Sequence, residues 1–372
     1  MKIAVVGCGA VGSFYGAKLS RDGHDVHFLL RSGYETVRRK GVFVRSPLGD
    51  FHVRPKCART AAQVGPSELV LIALKTTAND QFANLLPPLV GPSTAVLTLQ
   101  NGLGNEEQLA RLFPVGQILG GLCFTCLNRV EPGLVQHMAH GQIIIGEFQR
   151  WPEPRTHDIA EVFRRAGVPC SVTDNLARAH WEKLTWNIPF NGLGVASAAG
   201  YDALTRIFHS RRSRRRQSAL ISEEEKLAPT DVGGYTLRPF PPQCEVSALT
   251  AAHFALRPSA SLVPCLTTDS LLGDPKWARL VRQLVLEVIA VARALGLDLE
   301  DNLADKQIER TRAMGAYKAS TLIDFERGQA LELEGLFLEP LRQAQKAGVP
   351  APRLEALCTI LTQLDRMRAA GS

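Results

Sequence analysis

The strongest constraint on the fold lies in the first twenty residues. Ile3-Ala4-Val5-Val6 is a short, mostly β-branched run, and Gly7-Cys8-Gly9-Ala10-Val11-Gly12 follows at once. Ser13 to Leu19 then reads as a helix. This is G-x-G-x-x-G with a strand before it and a helix after it, the setting in which the motif has a physical meaning. Gly7 makes the tight turn, Gly9 lets the backbone approach a pyrophosphate, and Gly12 lets helix and strand pack closely. The free N–H groups and partial positive charge of the helix N-terminus then favour the anion. The segment predicts an α/β domain whose residues Gly7, Cys8, Gly9, Ala10, Val11 and Gly12 hold a dinucleotide.

The second strand, Asp25-Val26-His27-Phe28-Leu29-Leu30, ends at Arg31-Ser32. A site for NADH places Asp or Glu at this strand end to bind the ribose 2′-hydroxyl, whereas a guanidinium suits a 2′-phosphate. Arg31, with Arg38 and Arg39 close behind, therefore favours NADPH. Two further buried strands, Glu68 to Lys75 and Thr94 to Gln100, end in Lys75 and Asn101-Gly102-Leu103-Gly104. Ligands of open α/β sheets bind beyond the carboxyl ends of the strands, which is where Lys75 and Asn101 fall.

The chain has 372 residues, which at roughly 150 per domain suggests two or three domains. Hydrophobic residues at 45% and charged residues at 21% exclude a wholly disordered chain. No apolar run reaches the ~18 residues of a membrane span. The glycine motif starts too early for a signal peptide, and eight dilute cysteines read as reduced cytosolic thiols, so a cytoplasmic protein is expected. Of the net charge of +7, residues 204–263 carry +4, from nine Arg or Lys against five Asp or Glu. Charge gathered in one segment reads as a solvated basic stretch; a nucleic-acid partner is disfavoured. Cys123-Phe124-Thr125-Cys126 has no second ligand pair at metal-binding spacing. His137 and His140, expected to flank a loop, lack a third ligand, so no metal is expected.

From about Asn175 the pattern turns helical. Lys183, Asn187 and Asn191 stand four apart and share one helix face amid Trp181, Leu184, Trp186 and Phe190. A lysine and two asparagines in such surroundings suit a small polar substrate. Pro189 is expected to kink this helix. The helical pattern dissolves after Ala198. The following segment holds Arg211-Arg212-Ser213-Arg214-Arg215-Arg216, then Glu223-Glu224-Glu225, then several prolines, and reads as a poorly ordered insertion. Helical sequence resumes with Asp274-Pro275 as N-cap and first helical residue. Trp277, Leu280, Val281, Leu284, Val288, Val291, Ala292 and Leu295 form one apolar face, closed by Gly296. Further helices are expected over Asn302–Gly315 and Pro352–Arg368. Ser320 and Glu332 stand twelve apart, across a helix end expected at Gly328.

The spaced set resembles the ketopantoate reductase (2-dehydropantoate 2-reductase) family. The N-terminal glycines, Arg31, Lys75 and Asn101-Gly102 resemble its NADPH domain. Lys183, Asn187 and Asn191 resemble the start of its helical domain, and Ser320 with Glu332 its late signature. The likeness covers about 1–200 and 266–365. It implies an α/β Rossmann-type domain over 1–172 and an all-α domain over 173–370, interrupted at about 204–263, with the active site in the cleft between domains. It also implies hydride transfer from NADPH to the ketone of a small 2-keto acid, ketopantoate, in pantothenate and coenzyme A synthesis. In that scheme Lys183 is the general acid and Glu332 pairs with it or orients it. Asn101, Asn187, Asn191 and Ser320 hold the substrate. Tyr201, Tyr317 and Glu334-Gly335-Leu336 depart from the family pattern and leave the substrate's side chain open. A reductase of another 2-keto acid, and a non-catalytic NADPH-binding regulator with a basic arm, stay as alternatives. A homodimer is also left open.

Overall fold

The computed structural model describes residues 1–208 and 263–370. The insertion expected over 204–263 therefore lies, from residue 209 to 262, outside the described residues. The chain divides into two compact units. The first is Met1–Leu184 with Ala292–Leu299 and Glu334–Pro340, and the second is Thr185–Val291, Glu300–Leu333 and Leu341–Ser372.

The first unit is built on a mixed sheet. Its strands are β1 (Lys2–Val6), β2 (Asp25–Leu29), β3 (Val42–Arg45), β4 (Phe51–Val53), β5 (Lys56–Ala58), β6 (Ser67–Ile72), β7 (Val90–Thr98), β8 (Ile118–Glu131), β9 (Leu134–Glu147) and β10 (Cys170–Val172). The order is β4-β3-β9-β8-β7-β6-β1-β2-β5, with β10 beside β9. Around β1 all pairings are parallel, whereas β8 and β9 form a long antiparallel hairpin. β1 shows why the sheet takes helices on both faces. Successive side chains of a strand point to opposite sides. Ile3 and Val5 join one buried cluster with Phe14, Tyr15, Phe28 and Phe163, and Ala4 and Val6 join another with Val70, Ile72, Phe82 and Leu86. Such a strand needs a continuous apolar run, which is what precedes the glycine motif. The helices of this part are α1 (Ala10–Arg21), α2 (Tyr34–Lys40), α3 (Ala61–Val64), α4 (Phe82–Leu85), α5 (Asn105–Ala110) and α6 (Pro154–Arg165), followed by α7 (Leu176–Ala196).

The second unit is helical. It takes the later part of α7, a short helix over 201–208 (α8), α9 (Thr268–Gly273), most of α10 (Pro275–Ala294), α11 (Asn302–Arg312), α12 (Ser320–Glu326), most of α13 (Glu339–Lys346), and α14 (Pro352–Ala370). Asp274 caps α10 as expected: its Oδ1 accepts from the backbone N–H of Lys276 at 2.7 Å. Glu287 on α10 does the same for α14, accepting from the backbone N–H groups of Arg353 and Leu354 at 3.0 Å each and from the Arg353 guanidinium. Burial pushes the Glu287 carboxyl up, against the pull of Arg353. An α/β domain followed by a helical one is thus the observed architecture, as the sequence indicates.

Three local expectations are corrected. His137 and His140 lie inside β9, not beside a loop. An irregularity in the β8–β9 register places His140 at φ 61° and Gly141 at φ 123°, and such a bulge breaks the alternation by which a strand is recognised. His137 is buried, with Ser46 Oγ 2.9 Å from its Nδ1 and the His140 carbonyl 2.9 Å from its Nε2. Second, the helical pattern does not end at Ala198: residues 201–208 are helical and bury Ala203, Leu204 and Ile207. Eight residues hold only two turns, too few for a period to stand out. Third, Leu295 is 38% exposed and does not share the buried face of α10.

Cys123 and Cys126 lie in β8, and the seven described cysteines are all free thiols. Burial pushes the thiol of Cys123 up to about 11, against the nearby charge of Lys183, that of Cys170 up to about 12 and that of Cys265 up to about 11. Thiolate is the reactive form, and its share at fixed pH falls about tenfold each time the pKa rises by one. Native protein at pH 8 should therefore alkylate with iodoacetamide at least about tenfold more slowly at these three positions than unfolded protein. Mass spectrometry of peptides after timed labelling checks this; equal rates would contradict the burial.

Candidate active site

The glycine motif forms an open-faced cradle. Gly7 has φ 97°, and a Cβ there would lie 2.3 Å from the Leu74 backbone nitrogen. A Cβ on Gly12 would lie 2.3 Å from the Gly7 carbonyl oxygen. A Cβ on Gly9 would meet nothing within 4 Å. Two glycines therefore allow close packing of chain on chain, and the third faces open space at the start of α1. This is the shape a dinucleotide pyrophosphate needs: bare backbone beside free helix N–H groups. Cys8 turns its buried thiol away from that face, toward the carbonyls of Val5 and Leu29.

Arg31 follows β2 and is exposed. Glu35 is engaged elsewhere: it accepts from Arg38 at 3.1 Å and from Arg59 at 2.6 Å. Arg59, which follows β5 next to β2, lies 4.2 Å from the Tyr34 ring centroid. The sequence does not single it out, because no motif spacing joins it to Arg31; only the β2–β5 pairing does. Lys75 is exposed, three residues past the end of β6, and precedes the 3₁₀ turn Thr76–Gln81.

Asn101 follows β7 in a loop held with little freedom. A Cβ on Gly102 would lie 2.3 Å from the Gly335 carbonyl carbon, and the Leu103 N–H donates to the Gly335 carbonyl at 2.9 Å. Behind the loop runs a chain of amides. Thr98 Oγ1 donates to Gln100 Oε1 at 2.9 Å, Gln100 Nε2 to Asn79 Oδ1 at 2.7 Å, and Asn79 Nδ2 to Asn105 Oδ1 at 3.0 Å. Asn105 Nδ2 in turn donates to the Asn101 carbonyl at 3.2 Å. The Asn101 side chain is left to accept from Lys183 Nζ at 2.8 Å. Lys183 also stands 5.4 Å from the Phe124 ring centroid. One turn earlier on α7, buried His180 meets buried Glu106 of α5 at 3.1 Å. The amide chain and the His180–Glu106 pair support the Asn101–Lys183 contact, and neither is legible in the sequence.

In the second unit α7 continues through Pro189, with no break in the helix. Asn187 and Asn191 are buried, and Asn191 Nδ2 donates to Asn187 Oδ1 at 3.3 Å. Asn191 Oδ1 accepts from Ser320 Oγ at 3.3 Å and from the backbone N–H of Thr321 at 3.0 Å, at the start of α12. Ser320 itself is exposed, and the helix it opens ends at Glu326, with Gly328 at φ 66°. Trp186 donates to Thr311 Oγ1 at 2.9 Å and packs beside Phe190. Glu332 is buried in this unit. The singled-out residues thus include two hydrogen-bonded groups, Asn101 with Lys183 in the first unit and Asn187 with Asn191 and Ser320 in the second.

Residues 3–150 match the model of the ketopantoate reductase PanE/ApbA family, and residues 250–365 match the model of its C-terminal part. The chain belongs to the ketopantoate reductase family. The C-terminal likeness therefore begins at residue 250, earlier than the Leu266 expected from the sequence. A 2-dehydropantoate 2-reductase of Nostoc is 32% identical over all of this chain and 97% of its own length. One from Halobacterium salinarum is 33% identical over 98% of this chain and 99% of its own. The crystal structure of the 2-dehydropantoate 2-reductase from Geobacter metallireducens is similar with a TM-score of 0.77 and 39% identity, over 98% of this chain and 99% of that one. The family is one of oxidoreductases acting on a CH–OH group, the enzyme class the sequence indicates. No helix among the described residues is long and apolar enough to cross a membrane.

Proposed function

We propose that this chain reduces 2-dehydropantoate to pantoate with NADPH, in pantothenate and coenzyme A biosynthesis. The observation that carries the reading is the 2.8 Å contact between Lys183 and Asn101, in the same unit as the glycine cradle. The amide oxygen accepts from the ammonium and helps to fix its place. The cofactor supplies hydride to the ketone carbon. Gly7 to Gly12 would hold its pyrophosphate and Arg31 its 2′-phosphate, and Lys75 and Asn101, beyond the ends of β6 and β7, would contact it as well. Lys183 stabilises the negative charge that grows on the carbonyl oxygen and delivers the proton that completes the alcohol. Glu332, buried in the second unit, takes the second catalytic role in this reading. Asn187, Asn191 and Ser320 bind the substrate's carboxylate and hydroxyl, a task suited to amides and a hydroxyl whose own mutual bonds are already in place.

The test is NADPH oxidation by the purified protein, followed by the loss of the reduced nicotinamide absorbance, with ketopantoate beside a panel of 2-keto acids. Turnover is expected with ketopantoate above the others. Turnover confined to another 2-keto acid would replace the substrate and keep the roles. NADPH binding without turnover of any 2-keto acid would overturn the reading.

A further inference from the structure

The β8–β9 hairpin carries a cation to the glycine cradle that no motif marks. Arg129, near the tip of β8, donates from its terminal nitrogen to the Cys8 carbonyl at 3.3 Å. Cys8 is the second residue of the glycine motif. Among the described residues Arg129 makes no ion pair with a carboxylate, and its side chain is exposed. The same hairpin reaches the other nucleotide loop. A Cβ on Gly33, two residues after Arg31, would lie 2.6 Å from the Pro132 Cβ, and the Phe43 N–H ties Gly133 down at 2.8 Å. One hairpin thus reaches the loop after β1 through Arg129 of β8 and the loop after β2 through Pro132 of its turn.

We propose that Arg129 is a cofactor-binding residue that pairs with the pyrophosphate. The inference rests on the dinucleotide reading of the proposed function. A guanidinium has five N–H groups, and the Cys8 contact uses one of them. An unneutralised guanidinium beside free helix N–H groups is suited to two phosphates, which it can meet through paired donors. A purely structural tie to Cys8 needs an N–H and no charge. The hairpin tip just beyond Arg129 is tied by the Phe43 N–H to the Gly133 carbonyl, past an irregularity of the β8–β9 register between Arg129 and Glu131.

Fluorescence titration of NADPH and of NADH tests this, on the wild type, Arg129→Gln, Arg129→Lys and Arg31→Ala. Arg129→Gln retains an N–H for Cys8 and removes the charge. It should weaken both cofactors by a similar factor, roughly 10- to 100-fold, without changing the melting temperature of the free protein. Arg129→Lys should recover most of the loss. Arg31→Ala should weaken NADPH and spare NADH. Wild-type affinity for both cofactors in Arg129→Gln would overturn the proposal, as would a loss confined to NADPH, which would place the charge at the 2′-phosphate. Equal loss in Gln and Lys variants, with a lowered melting temperature, would make Arg129 a structural tie and also overturn it. A wild type that binds neither cofactor would sink the dinucleotide reading itself.

Discussion

Lys183→Ala is expected to lower kcat roughly a thousandfold or more, the scale set by losing a general acid together with a charge at the developing oxyanion. The residue is half-buried on a long helix and its Nζ donates to a neutral amide. Its removal leaves Asn101 Oδ1 without that donor but opens no apolar cavity, so the fold should persist. NADPH affinity should stay within about threefold of wild type, because the glycine cradle and Arg31 are untouched (each 1.4 kcal/mol is about tenfold). Lys183→Arg separates the two roles. Arginine keeps a positive charge but does not give up its proton near neutral pH. If proton delivery dominates, the arginine variant stays nearly as slow as the alanine variant while binding ketopantoate more tightly. Steady-state kinetics with parallel NADPH titration checks both. A kcat within about tenfold of wild type in Lys183→Ala would remove Lys183 from the chemistry.

The parts of this molecule that read from the sequence are those whose physics is local. The glycine motif is local: a tight turn, an open backbone and a close packing contact fall within six residues. The capping of α10 by Asp274 is local too, as is the four-residue spacing of Lys183, Asn187 and Asn191 along α7. What does not read is what depends on distant pairing. The chain Thr98–Gln100–Asn79–Asn105 joins a strand end, a 3₁₀ turn and a helix start, and nothing in the spacing of those residues reveals it. Glu106 and His180 lie 74 residues apart and meet only when α7 docks on α5. Arg59 and Arg129 reach the loops after β2 and β1 through sheet pairing, Arg59 by β2–β5 and Arg129 by the β8–β9 hairpin. The His137–His140 stretch fails for the opposite reason. Its local signal is misleading, since a bulge with a histidine at positive φ mimics a loop while the pairing on either side continues.

Gly9→Ala and Gly12→Ala differ by one methyl group each and should fail in different ways. Gly9 has φ −73° and ψ −152°, an extended conformation at negative φ, and its new Cβ meets nothing within 4 Å. Gly9 is the half-buried N-cap of α1, where alanine caps less well than glycine, so the variant should unfold within about 1 kcal/mol of wild type. On the proposed function the open volume over Gly9 takes the pyrophosphate, so NADPH affinity should nonetheless fall roughly tenfold or more. Gly12 is the reverse case. Its new Cβ would lie 2.3 Å from the Gly7 carbonyl oxygen and 3.1 Å from the Ala73 Cβ. Gly7 cannot give way, because it is itself wedged against the backbone of Ala73 and Leu74 at φ 97°. Relief must come from moving α1 off β1, which loosens the packing of Phe14 and Tyr15. The expected cost is about 1–3 kcal/mol, read by denaturant unfolding of the free protein. If the two variants lost stability equally, the division of labour among the glycines would be wrong. If Gly9→Ala kept full NADPH affinity, the cofactor would not lie over Gly9, and the hydride would have to arrive from elsewhere. The pair therefore measures, without any assay of turnover, whether the cradle is built for a ligand or only for the packing of a helix on a strand.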